Sequence, residues 1–126
     1  MSLKDYVSDL QALVESIPFV TATSLSCEER PPFSGLIKDT IFFTDGSQLD
    51  IKEFLISHPT LHVIKYAYNY RKGDHLIFRY DNANDPAARD LPTFPSHKHL
   101  PSEILAAVKP SFKELLQEII SQLKFP

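Results

Sequence analysis

Side chains that can transfer protons or bind phosphate are concentrated between residues 61 and 99. A tyrosine-rich pair of predicted strands ends in Arg-Tyr-Asp at 79–81, and the proline-rich segment after it ends in His-Lys-His at 97–99. All five histidines of the chain fall in or just before this stretch. Because histidine changes its charge near neutral pH, and arginine and lysine bind phosphate, this stretch is the first candidate for a functional site.

The His-His pair allows three interpretations. In an extended segment His97 and His99 point the same way, about 7 Å apart at the backbone, and together could bind a metal. Lys98 would place a positive charge beside that metal, which disfavours this interpretation. The histidines could also lie on a solvated loop, or form an acid–base or phosphate-binding pair. The candidates for a third metal ligand are Asp81, Asp85 and His75.

The strand residues have structural as well as functional interpretations. Arg79 and Asp81 lie two apart and share one strand face, so they form either a structural ion pair or part of a site. Exposed ion pairs of this kind contribute only about 0–1 kcal/mol to stability. The tyrosines of the preceding strand either pack against the sheet or stack on nucleic-acid bases. These tyrosines are Tyr66, Tyr68 and Tyr70.

Length and composition indicate an ordinary globular protein of 126 residues with a net charge of −3. Residues 1–57 carry a net charge of −5, whereas residues 58–109 carry +2 together with every histidine. This polarity fits a local site for an anionic ligand but not general adhesion to nucleic acid. Cys27 is the single cysteine and no stretch resembles a signal peptide or a membrane span, so we expect a cytoplasmic protein that does not interact with membranes.

Several common site chemistries have no counterpart in the sequence. The three glycines are isolated, so no glycine-rich phosphate loop is predicted. There is neither a C-x-x-C nor an H-E-x-x-H pattern, and residues 81–85 lack the glycine and glutamate of an EF-hand calcium loop. We therefore expect a protein that uses no metal and no cofactor.

Apolar periodicity and turn residues predict an α+β fold. Helical spacing with a capping box predicts helices at both ends of the chain, and Asp45-Gly46 predicts a β-hairpin. Residues 102–109 fit either a short helix or another strand. We predict one domain over 1–126, an antiparallel meander of about five strands with both helices on one face. The expected segments are a helix at 1–17, the meander at 19–81, a proline-rich loop at 82–110 and a helix at 111–124.

A second predicted hairpin turns at Lys72-Gly73. If Arg71 lies opposite Asp74 across a two-residue turn, then Tyr66 lies opposite Arg79. This pairing would place the tyrosines on the same sheet face as Arg79 and Asp81, whereas a turn longer by one residue would exchange the partners. The tyrosine-rich face is therefore expected to adjoin the candidate site.

Two motifs of the chain resemble the TumE family of toxins from prokaryotic toxin–antitoxin modules. They are LIFRYDNA at 76–83 and TFPSHKHLP at 93–101. The DGSQL turn at 45–49, the aromatic strand and the Pro-Ser start of the last helix also fit, so the resemblance covers about residues 35–125. The family commonly has a histidine where this chain has Ser96, so no role rests on that position.

This resemblance implies a small cytosolic toxin encoded beside an antitoxin, typically a helix-turn-helix repressor. Many small α+β toxins cleave RNA without a metal, which requires a base, an acid and cations around the phosphate. We hypothesise that the site works in this way. The hypothetical catalytic residues are His97, His99, Arg79, Tyr80 and Asp81, and the hypothetical substrate-binding residues are Lys98, Tyr66, Tyr68 and Tyr70.

Two other functions are compatible with the sequence. The protein could be a binding module without catalysis that inhibits a cellular target, or binds nucleic acid, through the tyrosine-rich face. It could also be a structural domain in which the motif serves folding. The strand predicted at 19–27 would have an exposed edge, through which two copies could form a homodimer.

Overall fold

A computed structural model describes residues 1–124 as an antiparallel sheet whose seven strands follow one another in chain order. The first and the last strand form its two edges, so the pairing of the first strand with a second copy stays a prediction. The elements are α1 (Leu3–Glu15), β1 (Val20–Arg30), β2 (Ser34–Phe43), β3 (Gln48–Ile56), β4 (His62–Lys72), β5 (His75–Asp81), a 3-10 helix (Pro86–Ala88), β6 (His97–His99), β7 (Ile104–Ala106) and α2 (Phe112–Gln122).

Both helices begin at capping boxes that the sequence predicts. The Ser2 hydroxyl accepts a hydrogen bond from the Asp5 backbone N–H at 3.1 Å, and the Asp5 carboxylate accepts one from the Ser2 N–H. Ser111 and Glu114 repeat this arrangement at α2, which satisfies N–H groups that have no partner inside the helix. No helix among residues 1–124 has the length and apolar character needed to cross a bilayer.

The sheet has one covered face and one open face. Both helices pack on the covered face, where the ring of Phe112 from α2 lies 5.7 Å from Tyr6 of α1 and 5.8 Å from Tyr68 of β4. This placement agrees with the predicted helices on one side of an antiparallel sheet. Because side chains alternate along a strand, every second residue of the central strands reaches the open face, which neither helix covers.

The prediction of about five strands was incomplete. Two short strands, β6 and β7, lie inside the segment 82–110 that was predicted to be a loop. Each has only three residues, which is too short for alternation to stand out among the surrounding prolines. Of the two alternatives for residues 102–109, the structure contains the strand.

The predicted register of the second hairpin was wrong. The turn consists of Gly73 and Asp74, so that Lys72 lies opposite His75, and a bulge then shifts the pairing by one more residue. Tyr68 consequently lies opposite Tyr80, and Arg79 lies opposite Asn69 and not opposite Tyr66. Gly73 has a φ of 58°, which glycine adopts without the penalty that a side chain would bring. No residue type in the sequence indicated this bulge.

Candidate functional site

The pairing of β6 with β5 brings the segment that contains His97 and His99 next to the segment that contains Arg79 and Asp81. In this pairing His97 lies opposite Asp81 and His99 lies opposite Arg79. Because these four residues have the same parity in two paired strands, their side chains share the open face of the sheet. The sequence left open whether the two motifs meet, and the pairing of β5 with β6 brings them together.

His97 is fully buried and held at both ring nitrogens. Its Nδ1 lies 2.7 Å from the Pro95 carbonyl oxygen, which can only accept, so Nδ1 carries a hydrogen. Its Nε2 lies 3.1 Å from Asp81 Oδ1 and 2.9 Å from His99 Nε2. The carbonyl of Pro95 thus fixes the ring orientation and directs Nε2 toward the other two side chains.

Asp81 is the centre of this cluster. Its buried carboxylate lies 3.4 Å from His99 Nε2 through Oδ2 and accepts a hydrogen bond from Arg79 Nε at 2.9 Å through the same oxygen. The Ala83 backbone N–H donates to Oδ1 at 2.9 Å. These contacts anchor a negative charge between two imidazoles and a guanidinium, which keeps that charge compensated although it is buried.

The members of the cluster differ in their access to solvent. The His99 side chain is 23% exposed and that of Arg79 is 41% exposed, whereas His97 and Asp81 are almost completely buried. A ligand approaching the open face would therefore meet His99 and Arg79 first. In this arrangement the buried pair of Asp81 and His97 can orient His99 for proton transfer, and Arg79 beside it can bind an anion.

Lys98 and Tyr80 do not belong to this cluster, contrary to the hypothesis. They lie opposite each other on the covered face, where the Glu118 carboxylate accepts hydrogen bonds from both at 2.6 Å. Burial alone would lower the pKa of Lys98, but its bonds to Glu118 and Tyr80 raise it instead. Burial, and then the bond to Glu118, raise the pKa of Tyr80. Alternation along the strand turns both away from the histidines.

The predicted tyrosine platform is also part of the core. Tyr66, Tyr68 and Tyr70 are 6%, 0% and 1% exposed, under the two helices. Burial raises the pKa of all three phenols. Nucleic-acid bases cannot stack on rings that are covered in this way, so the alternative of a tyrosine-rich binding face was wrong. The corrected hairpin register explains the error, because it moves the tyrosines to the face opposite Asp81.

Ser96, where the family commonly has a histidine, lies next to the core and away from the site. Its hydroxyl accepts a hydrogen bond from the Tyr66 hydroxyl at 2.9 Å. Because Ser96 precedes β6 with the parity of Lys98, it directs its side chain away from His97. The departure from the family pattern therefore leaves the Asp–His–His cluster intact.

The same cluster has the composition of a metal site. The ligand atoms of Asp81, His97 and His99 all lie within 4.8 Å of one another, and two imidazoles with one carboxylate suit several transition metals. The bond from His97 Nδ1 to a carbonyl is also usual for a metal-binding histidine. Against a metal, the Arg79 guanidinium occupies Asp81 Oδ2 and would repel a cation. Removal of metal ions by a chelator can therefore distinguish a metal site from a site for metal-free proton transfer.

Sequence reasoning missed the groups that support the cluster. They include the Pro95 carbonyl, the Ala83 N–H and Asn82. The Asn82 amide accepts from the Tyr66 N–H at 3.1 Å and donates to the Ile64 carbonyl at 3.0 Å, so it closes the end of the β4–β5 ladder. The adjacency of Asp81 and Asn82 was the available signal, because short polar side chains often bond to nearby backbone.

The comparisons with known proteins agree with the resemblance of the motifs. A family model described as "Toxin TumE" matches residues 10–124, which include both hairpins, the Asp–His–His cluster and α2. No curated protein and no solved structure matches the chain. Since the family match covers nearly the whole sequence, the chain belongs to the TumE toxin family.

Proposed function

We propose that this protein is the toxin of a type II toxin–antitoxin module and cleaves RNA in the cytoplasm without a metal. The observation that supports this proposal most is the Nε2–Nε2 distance of 2.9 Å between His97 and His99, beside the buried Asp81 carboxylate. A buried carboxylate and imidazole that hold a second, accessible imidazole form an arrangement suited to proton transfer.

In the proposed reaction His99 acts as base and then as acid. When both rings are neutral, His99 directs its Nε2–H at His97 Nε2, so its lone pair resides on Nδ1 and accepts the proton of an RNA 2′-hydroxyl. The 2′-oxygen then bonds to the adjacent phosphorus, the bond from phosphorus to the 5′-oxygen breaks, and His99 returns the proton to that oxygen. The products are a 2′,3′-cyclic phosphate and a free 5′-hydroxyl, and no external reactant is consumed.

The neighbouring residues support this proton transfer in different ways. Asp81 would compensate the charge of the imidazolium that forms on His99, 3.4 Å away. Arg79 has one guanidinium nitrogen on Asp81 and 41% of its side chain exposed, so its remaining donors can bind the phosphate. His97 is a positioning residue, because its complete burial keeps it from the substrate.

Purified protein tests the reaction directly. We expect a labelled single-stranded RNA to be cut into fragments that end in a cyclic phosphate. His99→Ala should reduce the initial rate by about 10²–10⁴-fold, the usual contribution of a general acid–base group. Lys113→Ala, on the exposed part of α2, is the matched control and should leave the rate unchanged. If the wild type leaves RNA intact, the protein is not a ribonuclease.

Growth of the host tests the toxin role separately. Inducible expression should arrest growth, and co-expression of the adjacent antitoxin gene, expected to encode a helix-turn-helix protein, should restore it. Arg79→Ala and His99→Ala should relieve the arrest while the folded protein still accumulates. Growth arrest by a wild-type protein that leaves all RNA intact would favour a non-catalytic inhibitor, and full toxicity of both variants would contradict the assigned site.

A further inference from the structure

A straight row of residues crosses the open face of the sheet and ends at the Asp–His–His cluster. The antiparallel registers of β2 to β6 place each member directly opposite the next. Since neighbouring strands lie about 4.8 Å apart, the row is continuous and leads from exposed residues to buried ones. From β2 to β6 its members are Lys38, Lys52, Ala67, Asp81 and His97.

The beginning of this row carries uncompensated positive charge. Lys38 and Lys52 are exposed and lie directly opposite each other, a like-charge pair that destabilises a sheet. Neither lysine, nor the exposed Lys65 beside them, forms an ion pair within residues 1–124. Asp50, which shares this face, is bound by Arg71 at 2.8 Å. An anionic partner on this face would relieve the repulsion between the two ammonium groups.

A depression connects these lysines to the site. One cavity of about 380 Å³ and another of about 400 Å³ lie on this face and share Lys52, Ala67 and Arg79 in their linings. The first also reaches Lys65 and the second reaches Lys38. The small side chain of Ala67, between larger neighbours, leaves the space that joins them. Arg79 thus closes the depression at the side of the histidines.

We propose that the lysine surface, formed by Lys38, Lys52 and Lys65, binds the backbone phosphates of a single-stranded RNA next to the bond that His99 cleaves. The proposal deepens the proposed function and rests on it for the position of the cleaved bond. Ammonium groups bind phosphate as point charges without reading the base, so this contact is insensitive to base sequence.

The chemistry of cleavage favours a single strand over a duplex. Attack by the 2′-oxygen needs this atom in line with the leaving 5′-oxygen, and the regular A-form duplex holds its 2′-hydroxyls away from that line. A flexible strand along the row can rotate about its sugar–phosphate bonds at Arg79. The lysine surface would hold the flanking phosphates while this rotation occurs, which places the reactive bond at His99.

Binding to a labelled oligoribonucleotide tests the proposal. The probe is a fluorescent single strand of about twelve nucleotides, within the usual site size for such strands. Binding is measured in a His99→Ala background, so that cleavage cannot interfere. The test variant is Lys38→Glu with Lys52→Glu, and the control is Lys4→Glu with Lys113→Glu, the same charge change on the helix side. Thermal unfolding checks that both are folded.

The charge reversal on the sheet should weaken binding roughly 10- to 100-fold, and the control should not. The slope of log K against log salt should fall by about 1.4 in magnitude, because each phosphate contact on a single strand contributes about 0.7. The neutral pair Lys38→Gln with Lys52→Gln should give an intermediate loss of affinity. The corresponding single-stranded probe should bind more tightly than its duplex.

The outcomes separate this proposal from the proposed function. If the wild-type protein binds the probe but never cleaves it, and the charge reversal weakens that binding, the ribonuclease is refuted and the lysine surface is supported as an RNA-binding site. Unchanged affinity and salt slope after the charge reversal would overturn the lysine surface, whether or not the protein cleaves RNA. If the charge-reversed variant loses antitoxin binding but keeps its RNA binding, the proposal is also overturned, and the lysine surface is a protein interface.

Discussion

His97 and His99 approach each other to 2.9 Å between their Nε2 atoms, and only one of the two rings reaches solvent. The Pro95 carbonyl fixes the hydrogen on Nδ1 of His97, so a hydrogen between the two Nε2 atoms belongs to His99 when both rings are neutral. Two residues of the same type therefore have different proposed tasks: the buried ring orients, and the exposed ring exchanges protons with the substrate.

Asp81→Asn should separate charge from shape at the centre of the cluster. The amide has the volume of the carboxylate but cannot compensate an imidazolium, so we expect the cleavage rate to fall by about 10²-fold or more. The substitution His97→Asn should lower the maximal rate more than it raises KM, since His97 does not reach the substrate. Steady-state kinetics of both variants would show this. A normal maximal rate for Asp81→Asn would contradict the proposed electrostatic role.

Replacement of Lys98 by Met should affect stability and not catalysis. The ammonium group donates to Glu118 at 2.6 Å and lies 4.9 Å from the ring centres of Phe78 and Tyr80. We expect a loss of about 1–3 kcal/mol in the free energy of unfolding. A double-mutant cycle with Glu118→Gln, followed by denaturant titration, measures the coupling. If the Lys98→Met variant is folded but its cleavage rate falls strongly, Lys98 takes part in the reaction, contrary to this prediction.

Alkaline pH should destabilise the fold through the buried phenols around Glu53. Both Tyr6 and Tyr68 donate to the fully buried Glu53 carboxylate, and burial, followed by the charge of Glu53, raises their pKa values. In the unfolded chain phenols ionise near pH 10, whereas these two stay protonated in the fold. Their stabilising contribution is therefore complete below about pH 10 and is lost as the pH rises further.

Denaturant titrations between about pH 8 and pH 11 would measure this loss, and Tyr68→Phe is the matched variant. It should lower stability by about 1–3 kcal/mol near neutral pH, because one Glu53 oxygen loses its donor. The free energy of unfolding of this variant should also fall less steeply at alkaline pH, because one titrating phenol is missing. An equally steep fall in the variant would show that Tyr68 does not cause the alkaline loss.

Chelation should leave cleavage unchanged. The proposed reaction uses His99 and Arg79 and routes no step through a cation, so dialysis against EDTA is expected to retain the full rate. Metal analysis of the dialysed protein provides the control. A rate that disappears on dialysis and returns with a transition metal would instead assign Asp81, His97 and His99 as its ligands.

The sequence predicted the features that local rules control. The capping residues Ser2 and Ser111 mark both helix starts, and Asp45-Gly46 marks the first hairpin, in which Gly46 has a φ of 84°. Two separated motifs also indicated the family and the segments that form the site. These features depend on a few adjacent residues, so the chain itself carries the information.

The roles of neighbouring residues needed the strand register. Lys98 lies between His97 and His99 in the sequence, yet it belongs to the opposite face of the sheet. The register shift between Tyr70 and Arg71 put the tyrosines and Asp81 on opposite faces of the sheet.

The lysine surface could not be predicted from the sequence either, because it also depends on the strand register. Lys38 and Lys52 look like ordinary solvent-facing positions of two strands, with no motif in common with the histidines. The amino-acid sequence by itself thus determined the helices, the turns and the reactive residue types at 79–81 and 97–99. Only the tertiary structure decided which of these residues meet, because one residue of register moves a side chain from one face of a sheet to the other.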